Sequence, residues 1–234
     1  MKSAVLDALV TARAAKQPAA LLTDLGSGDQ ALWLADGSPL PGDFPVTAPL
    51  LEAVAGALRA DKGQTVADGD RQVFIQVFNP PLRLMIVGAV HIAQPLSLMA
   101  RQTGYDVTVI DPRGHFASPD RFPDIALSQD WPDEALETLK PDARTAVVCL
   151  THDPKLDDPA LELVLNSPAF YVAALGSRRT HAARRDRLAE AGLGPDQIDR
   201  IHGPAGLAIG AVSPAEIAVS VMAQMTAVLH AATP

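Results

Sequence analysis

The chain has 234 residues, enough for one well-packed domain with a small companion module. Hydrophobic residues make up 48% and charged residues 20%, which excludes disordered and fibrous classes. A formal net charge of -8 argues against a surface built to neutralise a phosphate backbone, so no nucleic-acid partner is expected.

The opening MKSAVLDALVTARAAKQ has an apolar segment that is short and interrupted by Asp7. It does not read as a secretory signal, and a cytoplasmic location is expected. Ser3 to Ala15 reads as a helix, AALLTDL and DQALWLA as short strands around the turn GSGD, and Pro49 to Ala60 as a second helix. RQVFIQVF alternates as a strand does. The double proline in VFNPPLRLMIV marks a change of texture. The expected organisation is a small α+β module over residues 1–80 and a second domain over 81–234.

From Leu84 onward strand and helix signals alternate. LRLMIVG is a continuous apolar run, and HIAQPLSLMARQTG follows with helical spacing and a closing glycine. DVTVID, DIALS, TAVVCL and FYVAAL read as strands two to five, with a helix at PDEALETL between the third and fourth. DPALELVLN reads as a helix capped by Asp158 with Pro159 at its first position. RRTHAARRDRLAEAGL reads as a basic helix capped by Ser177, with Arg184, Arg185 and Arg187 directed outward to solvent. The last helix opens with a capping box from Ser213 to Glu216. Its stretch AEIAVSVMAQMTAVLH carries Glu216, Gln224 and His230, which does not suit a membrane span. The single cysteine, Cys149, lies in a buried-strand pattern, so neither a disulfide framework nor a cysteine metal site is expected. Val221, Met222 and Met225 read as core or as a contact between protomers, which makes a homodimer through the last helix a candidate assembly. The alternation predicts an α/β fold: a Rossmann-like, doubly wound parallel sheet covered by helices on both faces.

In such a sheet ligands bind at the carboxyl ends of the strands, where strand order reverses between the first and fourth. The loops to read are therefore GAVHIA, DPRGH, THDPKLDD and GSRRTH. Gly88 and Ala93 satisfy the ends of a G-x-G-x-x-G/A fingerprint, and Asp111 follows at about the twenty-residue spacing of a ribose-binding acid. Val90 stands where the middle glycine would admit a pyrophosphate, which opposes NAD in its usual pose. NAD or NADP remains the alternative ligand: Asp111 suits a free ribose, and Arg113 suits a 2′-phosphate. Gly176, Ser177, Arg178 and Arg179 combine a glycine, a hydroxyl cap and free N–H groups with two cations, the chemistry of an anion site. Thr151, His152 and Asp153 supply hydrogen-bonding groups at the switch point, and the first two could also serve as an acid–base pair. No metal site is expected there: Asp158 serves as a cap, Asp153 as a turn residue, and no second histidine follows at helical spacing. In RIHGPAGLAIGA, His202 and Gly203 belong either to a backbone loop near the ligand or to a tight connector into the last helix.

Five stretches, PPLRLMIVGAVHIAQPL, GYDVTVIDPRGHFASPDRFP, VVCLTHDPKLDDPALELVL, FYVAALGSRRTH and RIHGPAGLAIGAVSPAEIAVSVMAQM, occur in an order that resembles the XdhC/CoxI family. These are accessory proteins of xanthine dehydrogenase. The resemblance covers roughly Leu82 to Leu229 and implies a Rossmann domain preceded by a small N-terminal domain. It implies a non-catalytic chaperone that binds the molybdenum cofactor, a phosphate-bearing molybdopterin, and protects it while its terminal sulfur is installed. Delivery would be to apo xanthine dehydrogenase or a related hydroxylase. Position by position, the match falls on Gly88, Ala89 and His91; on Thr151 to Lys155 with Asp157; on Gly176 to His181; and on His202, Gly203, Pro204 and Gly206. The family's serine–proline–arginine turn and glycine-flanked cysteine do not occur in GSGDQALWLADGSPLPGDFP, so the N-terminal module reads as abbreviated. A protein that only docks on a molybdenum hydroxylase or a cysteine desulfurase, with no ligand, is a third reading.

Overall fold

The computed structural model describes residues 2–35 and 39–231, with side chains from residue 42 onward after the gap. The chain divides between Pro80 and Pro81 into two compact units.

The first unit contains helix α1 (Ser3–Ala14), strands β1 (Ala19–Asp24), β2 (Gln30–Leu34) and β3 (Pro39–Gly42), helix α2 (Ala48–Ala60), and strands β4 (Gln64–Asp68) and β5 (Arg71–Phe78). They form an antiparallel sheet in the order β3-β2-β1-β5-β4. β1 is buried on both faces, which explains its unbroken apolar run. Ala19 and Leu21 pack with Val5, Leu9 and Ala12 of α1, while Ala20 and Leu22 pack with Leu50, Val54 and Ala57 of α2. β3 and β4 were not expected: PLPG carries two prolines, and QTVAD is too short and polar to alternate clearly. Residues 36–38, within the stretch where the family resemblance departs, lie outside the described residues.

The second unit runs β6 (Arg83–Val87), α3 (Ala93–Gln102), β7 (Asp106–Ile110), β8 (Ala126–Ser128), α4 (Pro132–Leu139), β9 (Thr145–Cys149), α5 (Pro154–Leu165), β10 (Tyr171–Ala174), α6 (Arg178–Glu190), α7 (Pro195–Ile198), β11 (Ile201–His202) and α8 (Pro214–Ala231). Its six strands are parallel, in the order β11-β10-β9-β6-β7-β8. Order therefore reverses between β6 and β9, as the doubly wound reading predicts. Alternate residues of each strand face opposite layers. Leu84, Ile86, Val107 and Val148 join Leu96, Ala100, Val221 and Met225 from α3 and α8. Met85, Val87, Val147 and Cys149 join Leu136, Leu161, Val164 and Leu188 from α4, α5 and α6. Val221, Met222 and Met225 thus belong to the unit's own core, with Met225 fully buried. No helix among the described residues is long and apolar enough to cross a membrane.

Three expectations require correction. α5 begins at Pro154 and not at Pro159: Asp153 is the N-cap, its carboxylate accepting from Lys155 N at 3.0 Å. Two Asp-Pro pairs compete for the start. The earlier one captures the helix even though Pro159, now internal, cannot donate to the Lys155 carbonyl. Asp158 is freed from capping and forms a bidentate ion pair with Arg187. Arg184, Arg185 and Arg187 are not a solvated face. Arg184 lies on the inward side with Leu188, paired to Asp157, while Arg185 pairs with Asp199. Finally, RIHGPAG contributes a sixth strand, β11, whose two residues pair with Val172 and Ala173. Two residues are too few to carry a periodic signal.

Candidate ligand-binding crevice

The loops after β6, β7, β9 and β10 lie at the carboxyl ends of the parallel strands, with close contacts between neighbours. Gly88, at φ +104°, is the first such approach: a Cβ there would lie 2.5 Å from Thr151 Cγ2, so only glycine admits the loop after β9. Ala89 N donates to Asp111 Oδ2 at 2.8 Å, tying the first turn to the end of β7. Gly176, at φ +143°, brings the start of α6 beside His152, whose Nδ1 would be 3.8 Å from a Cβ at that position. The loop after β11 completes the row: Gly203 lies against the His181 ring, and His202 stacks on Tyr171 with centroids 4.8 Å apart.

Asp111 is fully buried, and its four acceptor positions are all taken. Oδ1 accepts from Arg113 N and Nε at 3.0 and 2.9 Å; Oδ2 accepts from Ala89 N and Arg113 Nη2 at 2.8 Å each. Burial opposes ionisation of this carboxyl, but the Arg113 guanidinium and the backbone donors outweigh it and hold its pKa below the usual carboxylate range. A ribose hydroxyl would have to displace one of these bonds. Arg113 is held in turn: the fork fixes Nε and Nη2, and the guanidinium lies over the Phe116 ring at 4.6 Å. Arg121, which no local sequence pattern marks, donates from Nη1 to the carbonyls of Ala89 and Phe116 at 2.8 and 2.7 Å and braces the first turn. Val90 is half-buried and packs against the core cluster of α3. His91 is exposed at the mouth of the turn.

The segment after β9 is held from beneath. Thr151 Oγ1 donates to Asp157 Oδ1 at 2.6 Å and His152 N to Asp157 Oδ2 at 3.1 Å, while Asp153 N donates to Thr151 Oγ1 at 3.1 Å. His152 adopts the left-handed region at φ +62°, with its ring exposed. The first turn of α5 is satisfied by Asp153, whose carboxylate accepts from Lys155 N and whose carbonyl accepts from Leu156 N and Asp157 N, while the Asp157 carboxylate holds the preceding loop.

The start of α6 contrasts with it. Ser177 Oγ accepts from Thr180 N at 3.1 Å, but the N–H groups of Ser177, Arg178 and Arg179 have no hydrogen-bond partner among the described residues. Arg178 and Arg179 are exposed and carry no ion pair among the described residues, whereas the three later arginines of the helix each face a carboxylate. A helix N-terminus with open donors and two uncompensated guanidinium groups is an electropositive end that suits an oxyanion. Burial lowers the pKa of His202; burial first, then Arg184 and Arg185, lowers that of His181, so both imidazoles favour the neutral form. Among the described residues no group of three or more histidine, cysteine, aspartate or glutamate side chains converges on a common point.

Comparison with known proteins gives consistent results. Residues 84–225 match the model of a family described as the XdhC Rossmann domain. The molybdenum cofactor insertion chaperone PaoD of Escherichia coli is 34% identical over 154 residues, covering 65% of this chain and 42% of that protein. A protein of Bacillus subtilis described as a probable xanthine dehydrogenase subunit is 32% identical over 159 residues, covering 68% of this chain and 46% of that one. The crystal structure of a xanthine dehydrogenase from Bacillus halodurans is similar over 97% of this chain and 65% of its own, with a TM-score of 0.73 and 25% identity. The chain therefore spans less than half the length of these two curated relatives.

Proposed function

The chain belongs to the XdhC family, its Rossmann domain matching over residues 84–225, and from that premise we propose that it is an accessory protein that binds the molybdenum cofactor. The phosphate of the pterin is held at the start of α6, by the N–H groups of Ser177 to Arg179 and by the side chains of Arg178 and Arg179. Gly176 lets the ligand approach the backbone, and His91, Thr151 and His152 contact the pterin or its metal end from the facing loops. The observation that carries this reading is the selective pairing along α6: every arginine beyond its first turn has a carboxylate partner, and the two at its start have none among the described residues. Charges left unpaired beside open N–H groups are available to a ligand anion. The reading is non-catalytic. Asp111 serves as a structural clamp on Arg113, and Arg113 offers its remaining N–H groups to the ligand edge. The client is an apo xanthine dehydrogenase or related molybdenum hydroxylase in the cytoplasm, and a cysteine desulfurase is a further candidate partner.

Equilibrium dialysis against molybdenum cofactor released from a purified molybdoenzyme tests the reading. Wild-type protein retains the cofactor, and Arg178→Ala weakens retention about tenfold, the loss expected for a hydrogen bond to a charged group. Absence of retention by the wild type, or equal retention by the Arg178→Ala/Arg179→Ala double variant, overturns it.

A further inference from the structure

One buried ion pair touches the backbone of both loops that flank the crevice. The side chains of Asp157 and Arg184 are each 2% exposed, with Nη2 of Arg184 3.6 Å from Oδ2 of Asp157. On one side Asp157 accepts from Thr151 Oγ1 and from His152 N. On the other, Arg184 donates from Nη2 to the carbonyl of Leu175 at 2.9 Å, in the segment that leads from β10 to α6. The N–H that Asp157 accepts belongs to the one residue of this loop in the left-handed region, His152. That conformation disfavours residues with a Cβ, so something must hold it.

The pair is a poor way to gain stability. Both ions lose hydration, and apolar residues of similar volume commonly replace such pairs without loss. Arg184 adds to the cost, because its Nε and Nη1 are buried with no hydrogen-bond partner. Burial also pushes the Asp157 carboxyl up, against the hydrogen bond from Thr151 and the Arg184 charge. What the pair does is connect: Asp157 bonds the THDP turn and Arg184 bonds the segment that leads into α6.

We propose that Asp157 and Arg184 are positioning residues of the crevice, holding Thr151 and His152 on one side and the anion-accepting end of α6 on the other at the spacing the ligand needs. This deepens the cofactor-binding reading and rests on it for the identity of the ligand.

The test replaces both ions with leucine, Asp157→Leu/Arg184→Leu, in the full chain. Stability is expected to hold, with a melting midpoint near that of the wild type. Amide hydrogen exchange of His152, followed by nuclear magnetic resonance, is expected to accelerate, while that of Thr180, whose N–H bonds Ser177, stays unchanged. Retention of molybdenum cofactor is expected to fall about tenfold, the scale associated with losing the partner that orients a ligand-contacting group. Unchanged exchange at His152 overturns the proposal, as does wild-type retention by a variant that folds. The exchange measurement needs no ligand. If the wild type binds no cofactor, the functional reading fails and the positioning role is still decided. Should the leucine variant not fold, Asp157→Val/Arg184→Met, which likewise leaves His152 N without its acceptor, carries the same measurements.

Discussion

Replacing Gly88 with alanine inserts a methyl group into the turn after β6, and its effect separates into two parts. The first is conformational. Gly88 sits at φ +104°, a region that costs a residue with a Cβ about 1–2 kcal/mol. The second is steric: the new Cβ would lie 2.5 Å from Thr151 Cγ2 and 3.3 Å from Thr151 N, and overpacking of this kind costs about 1–3 kcal/mol. Alanine also narrows the unfolded ensemble, which returns about 0.4–1 kcal/mol. The net expectation is a loss of about 1–4.5 kcal/mol, or roughly 2–18 °C in calorimetric midpoint for a chain of this size. Thr151→Ser in the same chain removes the clashing methyl and keeps the hydroxyl that bonds Asp157. The double variant should therefore recover the steric part and retain the conformational one, a coupling that the cycle of four proteins measures directly. Gly88→Ala within about 2 °C of wild type would refute the reasoning, because both costs together exceed that shift. A destabilised Gly88→Ala that serine at position 151 does not relieve would refute the steric half alone.

Two further predictions concern Asp111 and the dinucleotide alternative. Val90→Gly alone should not create tight NAD binding, since the Asp111 carboxylate has no free acceptor; adding Arg113→Ala removes its two side-chain bonds and should be needed for any gain. Titration of both variants with NAD decides this, and tight binding by Val90→Gly alone would show that Asp111 is no obstacle. For pH, the folded-state pKa of Asp111 is depressed, so its contribution is present in full above the unfolded value near 4 and is lost as pH falls through the folded value. Asp111→Asn should cost about 2 kcal/mol at neutral pH, as expected for hydrogen bonds to a charged group. The gap between variant and wild-type melting temperatures should close from about pH 4 downward. A gap that stays constant from neutral pH to pH 3 would assign the effect to shape and not to charge.

Local pattern was a good guide where one residue's neighbours in the chain are also its neighbours in space. The strands β6, β7, β9 and β10 were legible because a buried parallel strand is a continuous apolar run. The caps at Ser177 and Ser213 were legible because a cap is a bond across three residues. The start of α5 was misread because two Asp-Pro pairs carry the same local signal. What separates them is the bond from Thr151 to Asp157, which exists only if the helix has already begun at Pro154. A first helical turn that places Asp157 beneath its own loop was the available clue.

The anion end of α6 illustrates the same division. Its glycine, hydroxyl and arginines announce an anion site, but all five arginines of RRTHAARRDR look alike in the chain. Which of them are free depends on carboxylates far off in sequence: Asp157 and Asp158 on α5, and Asp199 beyond α7. In the same way Asp111 looks like a ribose acceptor until the fold turns Arg113 back upon it and brings Ala89 N from the turn after the neighbouring strand. By itself the sequence determined the doubly wound sheet, the edge that carries the loops and most of the residues on them, because hydrophobic period and local hydrogen bonds are short-range. Only the tertiary structure decided which charges are spent and which are left for a ligand, because pairing depends on which groups the sheet brings within hydrogen-bond reach.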